Sequence, residues 1–236
     1  MPDAVHDTRK DAHTALRALD VAERLAQTNG FNGFSYADIA AELGITKATL
    51  HYHFASKADL GLALITRYSR TLCDALAGIT GPAPQRLRHY VRVYEDLLIR
   101  NRMCLCGMLA AEYATLPPPM QRELARFFAL NDAWLEATLE QGRADGTVEF
   151  DGSALEVARM LTAALEGALL LARSCQEPER LAAVAHRLLS QICVVGPMHR
   201  ALRARKAGGK ARRSPPEQSG TRAGRAPLRA PGRKGR

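Results

Sequence analysis

The sequence predicts an all-α fold, in which a helix-turn-helix domain of three helices precedes a larger helical domain. Apolar residues recur at helical spacing along most of the chain, and we find no convincing strand. Two short helices, capped by hydroxyl residues and joined at a glycine, lie within residues 35–60. Hydrophobic residues make up 47% of the 236 residues, which is enough for a sizeable core.

Capping residues define the two short helices and the turn between them. Ser35 is placed to cap the first helix, with Asp38 three residues later as the acidic member of a capping box. Gly44 suits the end of that helix because glycine adopts positive φ without a steric penalty, and Thr46 is placed to cap the second helix. This pattern predicts a helix-turn-helix whose second helix reads the major groove.

The alternative is an ordinary helical hairpin, because a glycine turn between amphipathic helices occurs in many bundles. The outward face of the second helix favours the helix-turn-helix, since it carries hydrogen-bond donors and no carboxylate, which suits a polyanion. The residues that point away from its apolar stripe are Lys47, Thr49, His51 and Tyr52.

Residues 35–60 resemble the DNA-binding signature of TetR-family transcriptional regulators. The matching positions are Ser35, Ile39, Ala40, Gly44, Ile45, Thr46, Leu50, His53, Phe54, Lys57 and Leu60. Ala48 and His51 depart from the signature, which usually has Gly and Tyr there, and both positions face DNA in the family. The resemblance implies a homodimer that binds a double-stranded DNA operator and responds to a small-molecule effector.

The predicted DNA contacts fall into base-edge and phosphate contacts. A lysine such as Lys47 can donate to guanine, and a threonine methyl can pack on a thymine methyl. The helix N-termini at Ser35 and Ser56 add partial positive charge for phosphates. The predicted DNA-binding residues are Ser35, Tyr36, Thr46, Lys47, Ala48, Thr49, His51, Tyr52 and Lys57. Tyr36 also belongs, with Phe31 and Phe34, to the residues expected to close the small core.

The remaining elements follow from apolar spacing and from the residues that end each run. Asn29-Gly30 ends the first helix, Gly81-Pro82 lies between two others, and three prolines at residues 117–119 interrupt the middle of the chain. The predicted helices, apart from the helix-turn-helix pair, cover residues 8–28, 57–77, 85–101, 106–115, 120–141, 153–174 and 179–195.

Charge separates the C-terminal tail from the rest of the chain. Of the 33 Lys and Arg residues, 13 lie in residues 200–236 beside one acid, so this segment carries +12 and the preceding residues −3, against a total of +9. A tail rich in Gly, Pro, Ala and Arg is predicted to be disordered, and either contacts DNA phosphates or stays solvated. We therefore predict domains at residues 1–55 (helix-turn-helix), 56–198 (regulation and dimerisation) and 199–236 (basic tail).

The sequence also excludes several classes of protein. No apolar run reaches the ~20 residues that span a bilayer, and no secretory signal is found, so we predict a cytoplasmic protein without a membrane partner. Five scattered cysteines argue for a reducing compartment. Without a Ser/His/Asp set, phosphate loop or paired carboxylates, we expect neither an enzyme nor a bound cofactor or metal.

Residues 153–174 and 179–195 carry more apolar residues than one buried face needs. The resemblance implies that these two helices pair with their copies in a homodimer, and the alternative is burial within one protomer. The stripes are Ala158, Leu161, Ala164, Leu165, Ala168 and Leu169 on the first helix, and Leu181, Val184, Ala185, Leu188, Leu189 and Ile192 on the second.

Residues 102–112 suggest a thiol-based sensor. They resemble a G-C-L-x-x-x-L-x-A-E segment of TetR-type repressors that include the electrophile-responsive N-ethylmaleimide repressor type, with Cys104 and Glu112 at matching positions. A thiol at a helix N-terminus is favoured as the thiolate, which makes Cys104, with Cys106, a redox candidate. The alternative is that both cysteines are small core residues.

A noncovalent effector site is the second mode of sensing. Asn131 and Glu166 stand out because they are polar among apolar neighbours, although most of the residues around them also suit a plain core. The predicted ligand-binding residues are Tyr90, Tyr94, Met103, Cys104, Met108, Phe127, Asn131, Trp134 and Glu166.

Together these observations predict a homodimeric, sequence-specific DNA-binding regulator, a repressor that a small molecule releases from its operator. One alternative is a repressor that senses thiol-reactive compounds through Cys104 and Cys106. Another, from a different class, is a nonspecific nucleic-acid-binding protein that acts through the basic tail.

Overall fold

The first four helices form a small bundle around an apolar centre. The computed structural model describes the backbone of residues 3–193 and the side chains of residues 11–193. Helix α1 (Asp3–Asn29) contacts α2 (Tyr36–Leu43), α3 (Lys47–His53) and α4 (Lys57–Ala77). The buried residues of this bundle include Ala22, Ala26, Phe31, Phe34, Ile39, Leu50 and Leu60. Burial of these side chains holds α2 and α3 at a fixed angle on α1 and α4.

The turn between α2 and α3 has the geometry that its capping residues predict. Gly44 has a φ of 65°, and the N–H of Ile45 donates to the carbonyl oxygen of Ala40 at 3.0 Å. The Thr46 hydroxyl accepts from the N–H of Thr49 at 3.1 Å. Capping boxes are present at the start of both α2 and α4. The predicted helix-turn-helix is therefore confirmed.

Tyr36 joins α2 to the connection between α3 and α4. Its side chain is buried, and its hydroxyl lies 2.9 Å from the carbonyl oxygen of Phe54 and 2.7 Å from that of Ser56. Burial, together with the negative charge of Asp59, raises the pKa of Tyr36 to about 12, so the hydroxyl stays protonated and donates. Of the two roles expected for Tyr36, the structure places its side chain in the core.

Five further helices form the second half of the fold. They are α5 (Ala83–Ile99), α6 (Leu105–Ala111), α7 (Pro118–Ala144), α8 (Ala154–Cys175) and α9 (Glu179–Ile192). Helix α7 packs against α4, α5 and α8, and α9 packs against α8 and α5. Residues 3–193 contain only an isolated bridge between Val148 and Cys193 in place of a strand, so the all-α prediction is confirmed. None of the helices in this range has the length and apolar character needed to cross a membrane.

Helix α4 runs without a break from the helix-turn-helix into the second half. Midway along the helix, Arg67 forms ion pairs with Asp20 and Glu23 of α1, each at 2.7 Å. Near its end the indole N–H of Trp134 donates to the carbonyl oxygen of Leu76 at 3.2 Å. The same helix therefore contacts both α1 and α7.

The segment that contains α6 is tied to the end of α1 at two points. The N–H of Met103 donates to the carbonyl oxygen of Gln27 at 3.1 Å. On the far side of α6, the N–H of Asn32 donates to a carboxylate oxygen of Glu112 at 3.2 Å. Any displacement of α6 is therefore transmitted to the end of α1 and the loop that follows it.

Most helix boundaries lie within about three residues of the sequence predictions, and the differences of note concern α1, residues 106–115 and the start of α7. Helix α1 begins at Asp3 rather than at residue 8, and residues 106–115 divide into α6 and a 3-10 turn at Tyr113–Thr115. Pro118 and Pro119 do not precede α7 but form its first turn, where a residue without an N–H loses no hydrogen bond. Residues 194–198 of the predicted regulatory domain and the predicted tail, residues 199–236, lie outside the described residues.

The apolar stripes predicted on the last two helices are largely used within the protomer. Helix α8 packs against α5, α7 and α9, and α9 packs against α5 and α8, so internal packing accounts for most of these side chains. The buried members are Ala158, Leu161, Leu165, Ala168, Leu169, Leu181, Ala185, Leu188 and Ile192. A different set of α8 side chains, Met160, Leu170 and Leu171, is exposed.

The crossing of α4 over α7 gives a test of the fold. A Cβ added at Gly61 would lie 2.4 Å from Met120 and 2.8 Å from Phe31, so we expect Gly61→Ala to lower the free energy of unfolding by about 1–3 kcal/mol through overpacking. Gly78→Ala on the same helix is the matched control, because its nearest neighbour would be 3.5 Å away and its φ of −72° suits alanine. Urea unfolding followed by circular dichroism measures both variants, and equal stabilities would contradict the close crossing.

Candidate functional site

A surface groove between α2, α3 and the start of α4 brings together three side chains that carry or can carry positive charge. The groove has a volume of about 360 Å³. Lys47 and His51 reach it from α3, and Lys57 reaches it from α4. The complete lining is Phe34, Ser35, Tyr36, Ala37, Lys47, His51 and Lys57. Such a set of donors suits an anion.

The outward face of α3 is free of acidic residues. Lys47 and Ala48 are exposed, and Tyr52 is 74% exposed, the largest exposure among the aromatic side chains of the helix-turn-helix. Thr49 is half-buried, and its hydroxyl lies 2.9 Å from the hydroxyl of Thr46. This face offers an ammonium group, hydroxyls and an aromatic ring to a partner.

Lys57 has an internal role in addition to its place in the groove. Its ammonium donates to the carbonyl oxygen of Phe34 and lies 4.9 Å from the ring centre of Phe31 and 4.4 Å from that of Phe34. Burial lowers the pKa of Lys57, while the charges of Glu112 and Asp38 act in the opposite direction. An ammonium has three donors, so a phosphate contact remains open to it.

The first turn of α2 is already capped. The Ser35 hydroxyl donates to Asp38 at 2.8 Å and accepts from the N–H of Ala37 at 3.2 Å. The hydrogen bond from the Ser35 hydroxyl lowers the pKa of Asp38 most, and the hydrogen bond from the Ser35 backbone N–H lowers it further. The Ser35 hydroxyl and the N–H groups of Ser35 and Ala37 are thus engaged within the cap, so the phosphate contact predicted at Ser35 would have to replace one of these hydrogen bonds.

The second half of the protein contains a connected set of polar side chains, which we call the buried polar cluster: Tyr90, Tyr94, Asn131, Thr162 and Glu166. The hydroxyls of Tyr90 and Tyr94 are 3.1 Å apart, and Asn131 donates to the Tyr90 hydroxyl at 2.7 Å. Thr162 lies 3.3 Å from both Tyr90 and Asn131. The Tyr94 hydroxyl donates to Glu166 at 3.5 Å.

The buried polar cluster has two acceptors that lack a strong partner. The Asn131 carbonyl oxygen is buried and makes no hydrogen bond to a described residue. Burial raises the pKa of Glu166, and hydrogen bonds from Cys104 and Tyr94 offset only part of this effect. Aromatic rings surround the cluster, with Trp134 stacked on Tyr90 at 5.9 Å between ring centres. An unpaired buried acceptor such as the Asn131 oxygen is uncommon in native proteins and marks a candidate binding site.

Both cysteines of the predicted redox pair are buried. Cys104 precedes the first turn of α6, and the Tyr68 hydroxyl lies 3.8 Å from its sulfur. Burial, followed by the charge of Glu166, raises the pKa of Cys104 well above its usual value, and burial does the same for Cys106. Burial thus opposes the thiolate expected at this helix N-terminus, and the hydrogen bond from the Gly107 backbone offsets only part of it, so the redox role of Cys104 and Cys106 stays a prediction.

Most of the predicted ligand-binding residues come together in or around the buried polar cluster. These are Tyr90, Tyr94, Cys104, Asn131, Trp134 and Glu166, with Phe127 next to them through Tyr68. Met103 is buried and its N–H bonds to Gln27, and the end of the Met108 side chain lies near Gly30 at the end of α1, so these two residues are not among the hydrogen-bonded members of the cluster.

Sequence reasoning missed Tyr68 and Thr162. Thr162 precedes Glu166 by one helical turn, just as Tyr90 precedes Tyr94, so two such pairs on facing helices were the available signal. Tyr68 had no comparable signal, because its contact with Cys104 depends on how α4 meets α6. Among the residues that the structure describes, no three His, Cys, Asp or Glu side chains are grouped to hold a metal ion.

Two protein-family models match this chain. The model described as bacterial regulatory proteins, tetR family, matches residues 18–64, which include α2 and α3. The model described as tetracyclin repressor-like, C-terminal domain, matches residues 83–188, which include the buried polar cluster. The first match therefore covers the helix-turn-helix, and the second covers the buried polar cluster.

Individual proteins similar to this chain are found by sequence and by structure. The HTH-type transcriptional repressor NemR of Escherichia coli (strain K12) is 28% identical over 189 residues, covering 77% of this chain and 92% of NemR. A TetR-family transcriptional regulator from Agrobacterium tumefaciens is 31% identical, with a TM-score of 0.75 over 78% of this chain and 100% of that one. A TetR transcriptional regulator from Legionella pneumophila is 34% identical, with a TM-score of 0.67 over 75% and 95%.

The raised pKa of Glu166 predicts how pH affects stability. Because the folded protein disfavours the ionised carboxylate, Glu166 destabilises the fold progressively as pH rises from below its usual pKa through the raised one. We therefore expect the free energy of unfolding of Glu166→Gln, measured relative to that of the wild type, to be higher at pH 8 than at pH 5.

Urea unfolding of both proteins at pH 5 and pH 8 measures this difference. Glu149→Gln is the matched control, because Glu149 is exposed and its substitution should leave the pH dependence unchanged. A stability difference between Glu166→Gln and the wild type that is equal at both pH values would contradict the burial of an ionisable Glu166.

Proposed function

Because the chain belongs to the TetR family of bacterial transcriptional regulators, we propose that it is a homodimeric repressor that leaves its operator when a small molecule binds its C-terminal half. The observation that carries the DNA-binding part is the outward face of α3, which presents Lys47 and hydroxyls without a carboxylate. The relative NemR is named a transcriptional repressor, which supports repression rather than activation.

The proposal divides the chain by role. Residues 1–55 bind DNA, residues 56–198 provide regulation and dimerisation, and the predicted tail at residues 199–236 lies outside the part that the structure describes. The division supports a simple mechanism, since α4 begins at the boundary and extends into the regulatory part. A movement of α4 then changes the position of α3.

In the DNA complex, the N-terminal half of α3 contacts base edges. Lys47 donates to guanine, and the threonines at positions 46 and 49 contact thymine methyl groups or base edges. Lys57, Tyr52 and the first turn of α2 contact phosphates, which fix the orientation of α3 without reading sequence. The groove lined by Lys47 and Lys57 supports this assignment, because it is open to an anion.

Dimerisation is supported by the exposed side of α8. Met160, Gly167 and Leu171 are spaced by seven and four residues and lie on one face, with Leu170 beside them. A Cβ added at Gly167 would meet no atom within 4 Å, so a second helix has space to approach there. A second copy would cover these apolar side chains and supply a second recognition helix for a symmetric operator.

Effector binding is supported by the buried polar cluster. An effector that satisfies Asn131 and Glu166 would separate α5, α7 and α8, which supply the members of the cluster. Tyr68 of α4 contacts Cys104 beside Glu166, and Trp134 beside the cluster contacts the end of α4. The effector then shifts a two-state equilibrium towards a protein whose two α3 helices no longer fit adjacent major grooves.

Sensing of electrophiles through Cys104 and Cys106 is less well supported than noncovalent binding. Both thiols are buried and are held protonated at neutral pH, because burial raises the pKa of each. Nonspecific nucleic-acid binding through the basic tail depends on residues outside 3–193, and the helix-turn-helix favours a sequence-specific role. Neither alternative is needed to explain the two candidate sites.

The DNA-binding proposal predicts the effect of removing Lys47. With an operator selected from random DNA by the full-length protein, we expect Lys47→Ala to weaken operator binding by about 1–3 kcal/mol and to leave the fold intact. Fluorescence anisotropy at fixed salt measures affinity, and circular dichroism monitors the fold. Arg88→Ala, an exposed cation on α5, is the control that should bind like the wild type. Unchanged operator affinity of Lys47→Ala would exclude this base contact.

The dimer proposal predicts that a charge on the exposed side of α8 separates the protomers. Leu171 is 52% exposed, so Leu171→Glu leaves the protomer core intact but would place a carboxylate in the apolar interface. We expect sedimentation velocity to give a dimer for the wild type and a monomer for this variant. Leu16→Glu, at a similarly exposed leucine on α1, should remain dimeric. A monomeric wild type would refute the proposal.

A further inference from the structure

His51 occupies a position where the TetR-family signature usually has tyrosine, and it is held in a defined orientation. Its ring lies against the ring of Tyr36, with 4.7 Å between ring centres. Its Nδ1 lies 3.1 Å from the carbonyl oxygen of Ala55. These contacts fix the imidazole at the wall of the groove that Lys47 and Lys57 also line.

The contact with Ala55 determines which nitrogen of His51 carries the proton in the neutral ring. A carbonyl oxygen only accepts hydrogen bonds, so Nδ1 must be the protonated nitrogen. Nε2 is then a bare acceptor in the neutral form. It makes no hydrogen bond within residues 11–193, and the His51 side chain is exposed.

A phosphate oxygen is also an acceptor, so neutral Nε2 and a phosphate repel each other. When the imidazole takes up a second proton, Nε2 becomes a donor and the ring gains a positive charge, and both changes favour a phosphate contact. An imidazole is the side chain whose charge changes between pH 5 and pH 8. The tyrosine of the family signature would donate to phosphate at any pH in this range.

A bound phosphate would favour proton uptake by His51, because its negative charge pairs with the imidazolium. Two ammonium groups line the same groove and also suit an anion. The carboxylates of Asp38 and Asp59 are engaged in the capping boxes of Ser35 and Ser56, and α1 supplies no residue to the groove. The titratable and charged groups around the groove are Tyr36 and Asp38 of α2, Lys47 of α3, Lys57 and Asp59 of α4, and Glu112, which follows α6 and acts on Lys57.

We propose that His51 contacts a DNA phosphate as the imidazolium, so that operator binding takes up a proton from solution at each His51. This inference rests on the proposed DNA-binding function and adds a pH dependence to it. Affinity for the operator then rises as pH falls, and a homodimer takes up two protons in each complex. The alternative, a neutral Nε2 that accepts from a base amino group, gives the opposite sign, because protonation would abolish that contact.

The test is the pH dependence of operator affinity for the full-length protein, at constant ionic strength, with the operator selected from random DNA and a scrambled duplex of equal length. For the wild type we expect the operator Kd to fall by about tenfold or more between pH 8 and pH 6, since each proton taken up contributes up to tenfold per pH unit. His51→Tyr and His51→Asn cannot take up this proton, and we expect their Kd to change about twofold or less over this range.

His89→Asn is the matched control. His89 also places Nδ1 near the carbonyl oxygen of the residue four positions away, at 2.9 Å from Gln85, but it lies on α5. This variant should keep the wild-type slope. If His51→Tyr shows the same pH dependence of operator affinity as the wild type, or if wild-type affinity falls as pH falls, the inference is overturned. Either result leaves the proposed function standing, provided that the protein still prefers the operator over scrambled DNA. Loss of preference over scrambled DNA in the wild type at both pH values would overturn the proposed function as well.

Discussion

The continuity of α4 is the constraint on which the other parts of this structure depend. Its 21 residues form one helix of roughly 30 Å, since an α-helix rises about 1.5 Å per residue. At one end the Tyr36 hydroxyl contacts the chain just before the helix, and at the other Trp134 donates to the last turn. A helix held by its own hydrogen bonds moves as a unit, so the orientation of α2 and α3 depends on how α7 and α8 are packed.

The interior beside α4 is more polar than stability requires. Hydroxyl, amide and carboxyl groups occupy positions where apolar side chains of similar volume would cost less to bury. Burial acts in the same direction on Glu166 and Cys104, because it raises the pKa of both and favours their neutral forms. Burial therefore opposes negative charge in this interior, and an anion that enters it is favoured if it brings a proton or a counter-charge. This condition limits the compounds that the site accepts.

Local patterns in the sequence were sufficient to predict the helices, but they did not predict which side chains surround the candidate site residues. Ser56 and the glycine at residue 78 define both ends of α4, which was predicted at residues 57–77 and is found there. Periodicity shows that α8 has an apolar face but not which element covers it. The stripe predicted for a partner packs instead against α5, α7 and α9 of the same protomer. For the same reason the burial of Cys104 and the bond from Lys57 to a backbone carbonyl were not predictable, because both depend on contacts between residues distant in sequence.

The two ties between α6 and the end of α1 also have a consequence for how this chain can vary. Met103 and Glu112 are nine positions apart, and they bond to Gln27 and Asn32, which are five positions apart on the other segment. An inserted or deleted residue between the first two would shift one tie relative to the other and tilt the end of α1. The connection between α8 and α9 carries no such double attachment in the described part of the chain. Length variation among related proteins should therefore be tolerated at that connection and excluded from the α6 segment.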